Sequence, residues 1–361
     1  MVTPDPAFWR GKRVLVTGHT GFVGSWLTLW LLELGAEVWG YALDAETAPS
    51  LFNQVQPQIQ RSGRFHHRSG DLADLSRLKA CVDEASPEIV LHLAAQALVR
   101  RSYADPLRTW TTNVIGSMHL LEALKGLRQR SAVVMVTTDK VYENLGTSDR
   151  YSESDRLGGH DPYSASKAAT EIAIASWRLS FCGTHPHQTP YLQIASARAG
   201  NIIGGGDWAP DRIIPDAIRA LASKRPVVVR HAQATRPWQH VLDAVSGYLR
   251  LAECLYAADC ACTSAFNFGP MPDCNRTVAD LMEAVLRGWP GSWEDRPEDQ
   301  GPHESVRLQL EISKARELLG WSPRWSFDKA VDQTVNWYRR VEEGASPLEL
   351  CLSDLTRYCE G

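Results

Sequence analysis

The order of residues predicts a doubly wound α/β fold, built on a mostly parallel sheet, with a smaller C-terminal lobe. Two observations carry this. Arg13–Thr17 is a compact run that meets Gly18-His19-Thr20-Gly21-Phe22-Val23-Gly24 and then an apolar-patterned segment to Leu34, which reads as strand, glycine turn and helix. Ala132–Val136 is apolar without alternation, as in a parallel strand covered on both faces. Residues 1–190 are assigned mainly to the sheet domain and 191–361 mainly to the lobe, with Tyr191–Arg198 and some later segments returning to the sheet.

Glycines at 18, 21 and 24 let the backbone turn tightly, approach a pyrophosphate and pack helix on strand. The helix opening there turns free N–H groups toward the phosphates, so Gly18, Thr20, Gly21, Phe22 and Gly24 are the expected cradle. A second strand, Glu37–Leu43, ends at Asp44, at the distance where an acidic side chain holds the ribose hydroxyls of a dinucleotide. A carboxylate there repels a 2'-phosphate, and Ala45 and Glu46 supply no cation, which predicts NAD as the cofactor. Gly70-Asp71-Leu72 closes a third strand and Leu91–Gln96 a fourth, where the small residues around Leu93, Ala94 and Ala95 let the backbone pass close to the cofactor. His92 lies inside an apolar run and reads as a core histidine, and His66-His67 lacks metal partners at a recognisable spacing.

Leu107–Lys125 reads as a long helix interrupted at Asn113–Gly116, ahead of the strand Ala132–Val136. Ligands of open parallel sheets sit beyond the carboxyl ends of the strands, so Thr137-Thr138-Asp139-Lys140 is expected to face the cofactor. Asp161 is the expected N-cap of the next helix and Pro162 its first residue. That sets Tyr163 on the first turn, with Lys167 on the same face. A lysine cation within reach favours the phenolate, which makes Tyr163 a candidate base for a sugar or alcohol hydroxyl. The Tyr-x-x-x-Lys spacing also occurs on ordinary surface helices, and it gains its weight here from the segments before it.

In the second half, Val241–Tyr256 and Thr277–Leu286 are helical patterns, the latter with Thr277 and Asp280 spaced as a capping box. Leu318–Pro323 reads as a helix stop before an amphipathic helix from Phe327 to Val341. Arg212, Arg236 and Arg307 are far apart in sequence, yet their forked donors could converge on a pyrophosphate; a solvated surface position is the alternative for each. Trp26, Trp30, Trp110 and Trp177 fall within helical patterns and read as packing.

The 361 residues carry a net charge of -4. That balance, without a lysine or arginine run, argues against a general nucleic-acid binder. No apolar run approaches the ~18 residues that span a bilayer, and the N-terminus lacks a basic-then-apolar leader, so a cytoplasmic protein is expected. The cysteines are scattered and read as reduced thiols; Cys254, Cys260, Cys262 and Cys274 fit no zinc or redox spacing, and no metal site is expected.

Taken together, Gly-x-x-Gly-x-x-Gly at 18–24, Asp71-Leu72, Leu93-Ala94-Ala95, Asn113, Thr137–Lys140 and Tyr163-x-x-x-Lys167 resemble the extended short-chain dehydrogenase/reductase family, whose sheet is Rossmann-like. Asn201 before Gly204-Gly205-Gly206-Asp207-Trp208, then Arg212–Pro215, Arg236–Trp238 and Asn267–Gly269, resemble the substrate half of nucleotide-sugar 4,6-dehydratases. Asp139-Lys140 and the wording from Arg198 to Trp208 are most like the branch that acts on CDP-glucose. The resemblance implies conversion of CDP-glucose to CDP-4-dehydro-6-deoxyglucose and water. It places Thr138, Asp139, Lys140, Tyr163 and Lys167 in catalysis, Tyr163 and Lys167 also at the cofactor, and Asn201, Arg212, Arg236 and Arg307 at the substrate. It further implies a homodimer through the helices that begin near Leu107 and Tyr163.

Two positions depart from related enzymes. Those acting on dTDP-glucose and GDP-mannose carry a glutamate where this chain has Lys140, so the residue that removes the C5 proton is open. In place of a histidine and serine of the dTDP-glucose enzymes stand Ala97 and Leu98. The alternative enzyme is a nucleotide-sugar 4-epimerase, which uses the same tyrosine and lysine but needs no acid such as Asp139. A non-catalytic NAD-sensing regulator is the alternative outside catalysis; such proteins commonly lose the tyrosine–lysine pair.

Overall fold

The computed structural model describes residues 2–144, 150–183, 188–257, 260–297 and 308–360. Seven strands make the central sheet: β1 (Arg13–Thr17), β2 (Glu37–Ala42), β3 (Phe65–Ser69), β4 (Ile89–His92), β5 (Ser131–Val136), β6 (Leu192–Ala199) and β7 (Ala265–Phe268). They lie in the order β3-β2-β1-β4-β5-β6-β7, every neighbouring pair parallel. The strand order reverses direction between β1 and β4, opening a crevice at their carboxyl ends.

The unbroken apolar runs result from burial on both faces. Val14, Val16, Ala132 and Val134 enter one core, whereas Leu15, Val133 and Met135 enter the other, as the two-residue repeat of a strand requires. Helix α1 (Phe22–Glu33) packs in the first core, with Trp26 and Trp30 buried as expected. Helix α2 (Gly116–Leu124) packs in the second.

The interruption expected at Asn113–Gly116 is a π-turn, Thr111–Ile115, set between Pro106–Trp110 and α2. The Asn113 carbonyl accepts from Ser117 Oγ at 2.6 Å and from Thr170 Oγ1 at 3.0 Å, while Asn113 Nδ2 donates to Ser166 Oγ at 2.9 Å. Thr170 and Ser166 belong to helix α3 (Pro162–Phe181), so the widened turn ties that helix down. Trp110, on the segment leading into the turn, is exposed rather than packed.

The second half returns to the sheet twice as strand, in β6 and β7, and once as helix α4 (Val241–Tyr256), which packs against β5 and β6. The Thr277/Asp280 capping box forms at the start of Val278–Gly288. Among the described residues, no helix is long and apolar enough to cross a membrane.

A buried ion pair links the two halves beneath the carboxyl edge. Arg198 of β6 donates to Glu171 of α3 at 2.8 Å, and Glu171 also accepts from Thr137 at 2.5 Å and Ser196 at 2.8 Å. Arg198 reaches on to Tyr142 Oη, which donates to Asn267 of β7. Removing one member leaves an uncompensated charge in the core. Glu171→Ala is therefore expected to destabilise folding by about 3–5 kcal/mol in chemical denaturation. Asp328→Ala, which breaks the exposed pair with Arg287, is expected to be close to neutral.

Candidate active site

The glycine turn shows what each glycine is for. Gly18 has φ +76°, and a Cβ there would sit 2.6 Å from Ala94 N, where the chain leaving β4 crosses the turn. At Gly24 a Cβ would lie 2.2 Å from Gly18 O, so the helix can pack on the turn only without one. Gly21 differs: its nearest neighbour would be Gly18 O at 3.4 Å, leaving open space above it. It is the N-cap of α1, without a side-chain cap of its own. An open, side-chain-free helix N-terminus at the switch point fits a pyrophosphate.

Around this turn, Thr20 Oγ1 donates to Leu43 O at 2.8 Å and Phe22 opens α1. Asp44 lies just beyond β2 and accepts from Ser69 Oγ at 3.1 Å, so its carboxylate stands at the edge of the crevice. Asp71 and Leu72 come after β3. Leu72 turns its side chain into the core against Gly116, and its carbonyl pairs with His119. His92 is a core histidine, bonded to Thr17 Oγ1 at 2.6 Å and Ser117 Oγ at 2.9 Å. His66 pairs with Glu37 and stacks on Trp39.

Beside the crevice lies a cavity of about 740 Å³ between the sheet edge and the lobe. Leu93, Ala95, Thr138, Asp139, Lys140, Tyr163, Lys167, Asn201, Arg212 and Arg236 all stand on its wall. Gly18, Gly21, Asp44 and Asp71 lie outside that wall, further along the carboxyl edge. Arg307 is outside the described residues.

Local structure explains the placement. Asp161 caps α3 by accepting from Ser164 N at 2.9 Å, with Pro162 at the first position, and Tyr163 and Lys167 lie on one buried face. Lys167 Nζ donates to Val136 O at 3.1 Å, holding the helix against the end of β5. Burial lowers Lys167 to about 8, with Glu171 opposing. Burial also pushes the Tyr163 phenol up to about 12; Thr138 and Arg212 pull it down, while Asp139 and Asp161 push it further up.

Asp139 is buried. Its carboxylate accepts from Thr138 Oγ1 at 3.0 Å and Asn201 Nδ2 at 3.2 Å. Burial raises its pKa, against Lys140, Thr138 and Arg236, which gives it the character of an acid. A Cβ on Gly200 would lie 2.0 Å from Asp139 Cγ, so this carboxyl occupies space that only a glycine leaves open. Gly200 is a site residue that the sequence marks only as part of the wording from Arg198 to Trp208. Arg212 pairs with Asp207 at 3.0 Å, and Arg100, Arg219, Arg225 and Arg230 join it on the cavity wall. These four arginines carry no motif of their own.

The fold and the turn are those of a dinucleotide-binding enzyme of the short-chain dehydrogenase type, with a second cavity beside the cofactor edge. The chain belongs to the family described as GDP-mannose 4,6 dehydratase, whose model matches residues 15–334. Over 356 residues it is 42% identical to the CDP-glucose 4,6-dehydratase of Salmonella typhimurium, covering 98% of each chain. It is 28% identical over 341 residues to a UDP-glucose 4-epimerase of Mycolicibacterium smegmatis, covering 92% of this chain and all of the relative. Among solved structures, the dTDP-glucose 4,6-dehydratase of Bacillus anthracis, in complex with NAD, matches with a TM-score of 0.75 at 25% identity, covering 93% of this chain and 99% of that one.

The open space over Gly21 separates a ligand role from a folding role. Gly21→Ala is expected to change folding stability by no more than ~0.5 kcal/mol, yet to weaken NAD binding on the order of tenfold in calorimetric titration. Gly24→Ala, which meets Gly18 O, is expected to lower the melting temperature.

Proposed function

We propose that the protein is an NAD-dependent dehydratase, working in the cytoplasm, that converts CDP-glucose to CDP-4-dehydro-6-deoxyglucose and water. One observation carries the choice of reaction: a buried acid, Asp139, shares the cavity wall with Tyr163. A 4-epimerase needs the tyrosine but has no use for such an acid, so the geometry favours elimination. The close likeness to the Salmonella enzyme supports CDP-glucose as the nucleotide sugar.

The chemistry that NAD supplies when bound is removal of hydride from C4 and its return to C6, and its cationic ring opposes the burial that holds Tyr163 protonated. The chain does the rest. Tyr163, with Thr138 beside it, takes the proton of the C4 hydroxyl. The C4 ketone makes C5–H acidic, and Lys140 removes that proton. Asp139, held by Thr138 and Asn201, protonates the C6 hydroxyl as it leaves as water. Lys140 then returns a proton to C5. Arg212 and Arg236 face the pyrophosphate, Asp44 the ribose of the cofactor. Each step demands a different relation to one sugar, so positioning carries most of the rate.

Tyr163→Phe is expected to bind NAD but to show no nicotinamide reduction on mixing with CDP-glucose. Lys140→Ala is expected to reduce NAD and then stall. In heavy water, wild-type product carries deuterium at C5; exchange at the wild-type rate in Lys140→Ala assigns the base elsewhere.

A homodimer is proposed through the paired helices. Leu107, Ile172 and Leu179 are 80%, 60% and 82% exposed, with Trp110 and Ile115 also open on the same two rods. A run of this kind is covered in a stable protein. Light scattering of the wild type is expected to give twice the chain mass, and Ile172→Glu with Leu179→Glu to give the monomer.

A further inference from the structure

Asp207 stands on the wall of a cavity that also carries Arg212, Arg230 and Arg236. It is almost sealed from water: its side chain is 6% exposed, against 35% for the Arg212 it pairs with. A carboxylate in that place repels any phosphate that enters. Its bonds show what offsets this. Oδ1 accepts from Ala209 N at 3.1 Å, and Oδ2 accepts from Arg212 Nη1 at 3.0 Å.

The carboxylate is a fixed point. Tyr338, buried on the helix Phe327–Glu342, donates its hydroxyl to Asp207 O at 2.6 Å. Trp26 of α1 donates to Gly205 O at 2.9 Å, and a Cβ on Gly205 would lie 2.1 Å from Trp337, so the loop is pressed against both helices. Arg212 has no such anchor. It precedes the helix Ile213–Ala222 without capping it, and Nη1 to Asp207 is the one hydrogen bond its guanidinium makes among the described residues. Its other donors, Nε and Nη2, stay open on the cavity wall.

We propose that Asp207 is a positioning residue: by holding Nη1 it aims the rest of the Arg212 guanidinium at the diphosphate of the nucleotide sugar, as a fork ordered before the ligand arrives. This rests on the role proposed above for Arg212. A free arginine arm loses rotamer freedom on binding, a cost that a fixed partner removes beforehand. That gain opposes the repulsion between carboxylate and phosphate, so the two effects have opposite signs in an experiment.

Asp207→Asn keeps the shape but can satisfy only one of the two donors it faces, Ala209 N and Arg212 Nη1, so the Arg212 contact is lost or strained. The variant is expected to hold NAD as the wild type does and to bind CDP roughly 3- to 10-fold more weakly in calorimetric titration. Its KM for CDP-glucose is expected to rise by a similar factor, with kcat within about twofold. In an Arg212→Ala background the same substitution is expected to leave CDP binding equal or tighter, because only the repulsion is left to lose. Tyr338→Phe, which keeps the carboxylate and loosens its anchor, is expected to weaken CDP by about twofold, and it carries the test if Asp207→Asn does not fold. Unchanged or tighter CDP binding by Asp207→Asn overturns the inference, as does equal weakening with and without Arg212. Dehydration of CDP-glucose by the wild type tests the proposed reaction separately, because CDP carries no sugar to turn over.

Discussion

Glu171 and Arg198 form an ion pair that is nearly sealed from water, one residue from the helix carrying Tyr163 and the other from β6. Such a pair is costly to bury, and hydrogen bonds to its other oxygens and nitrogens offset that cost. Here Thr137 and Ser196 complete the carboxylate, Tyr142 Oη and Glu153 O accept from the guanidinium, and Arg198 Nε is left without a partner among the described residues. The consequence is geometric. The loop after β5, the body of β6 and the third turn of α3 cannot move independently, and these are the segments that deliver Thr138, Asp139, Asn201 and Lys167 to one cavity. Tyr142 and Asn267 extend the same bonding to β7, so the lobe side is held in register with the sheet.

A second constraint is space. Asp139 fits only because residue 200 has no side chain, and the turn at residues 18–24 closes only because Gly18 and Gly24 have none. Gly21 obeys no such demand from the protein: a Cβ there would meet only Gly18 O, at 3.4 Å. The same scarcity of atoms thus serves two purposes along one sheet edge: internal packing at some positions and access at others.

The chain's likeness both to dehydratases and to a 4-epimerase reflects this construction. Hydride removal at C4 needs the cofactor edge and a tyrosine, which the scaffold supplies to both. The fate of the C4 ketone then depends on the other groups that surround the sugar. In the reaction proposed above, the buried Asp139 carboxyl, its pKa raised by burial, is the group that turns that ketone toward loss of water.

The sequence alone determined the strand–turn–helix at residues 13–34, the fully apolar strands and the N-cap that starts α3, because each depends on neighbours within a few residues. It also placed Thr138, Asp139, Tyr163 and Lys167 at carboxyl ends and helix starts, which suffices to bring them to one edge. Tertiary structure decided the rest. It turned Lys167 toward Val136 O and set Thr138 and Arg212 where they lower the pKa of the Tyr163 phenol. The interruption at Asn113 became a π-turn that bonds α3, and Trp110 was left exposed. Nothing in the local pattern of Val241–Tyr256 sets Tyr248 apart from the other buried residues of that helix. Its distinction is a buried hydroxyl without a partner in the described structure, and a missing partner is a property of three-dimensional surroundings that no spacing along the chain encodes.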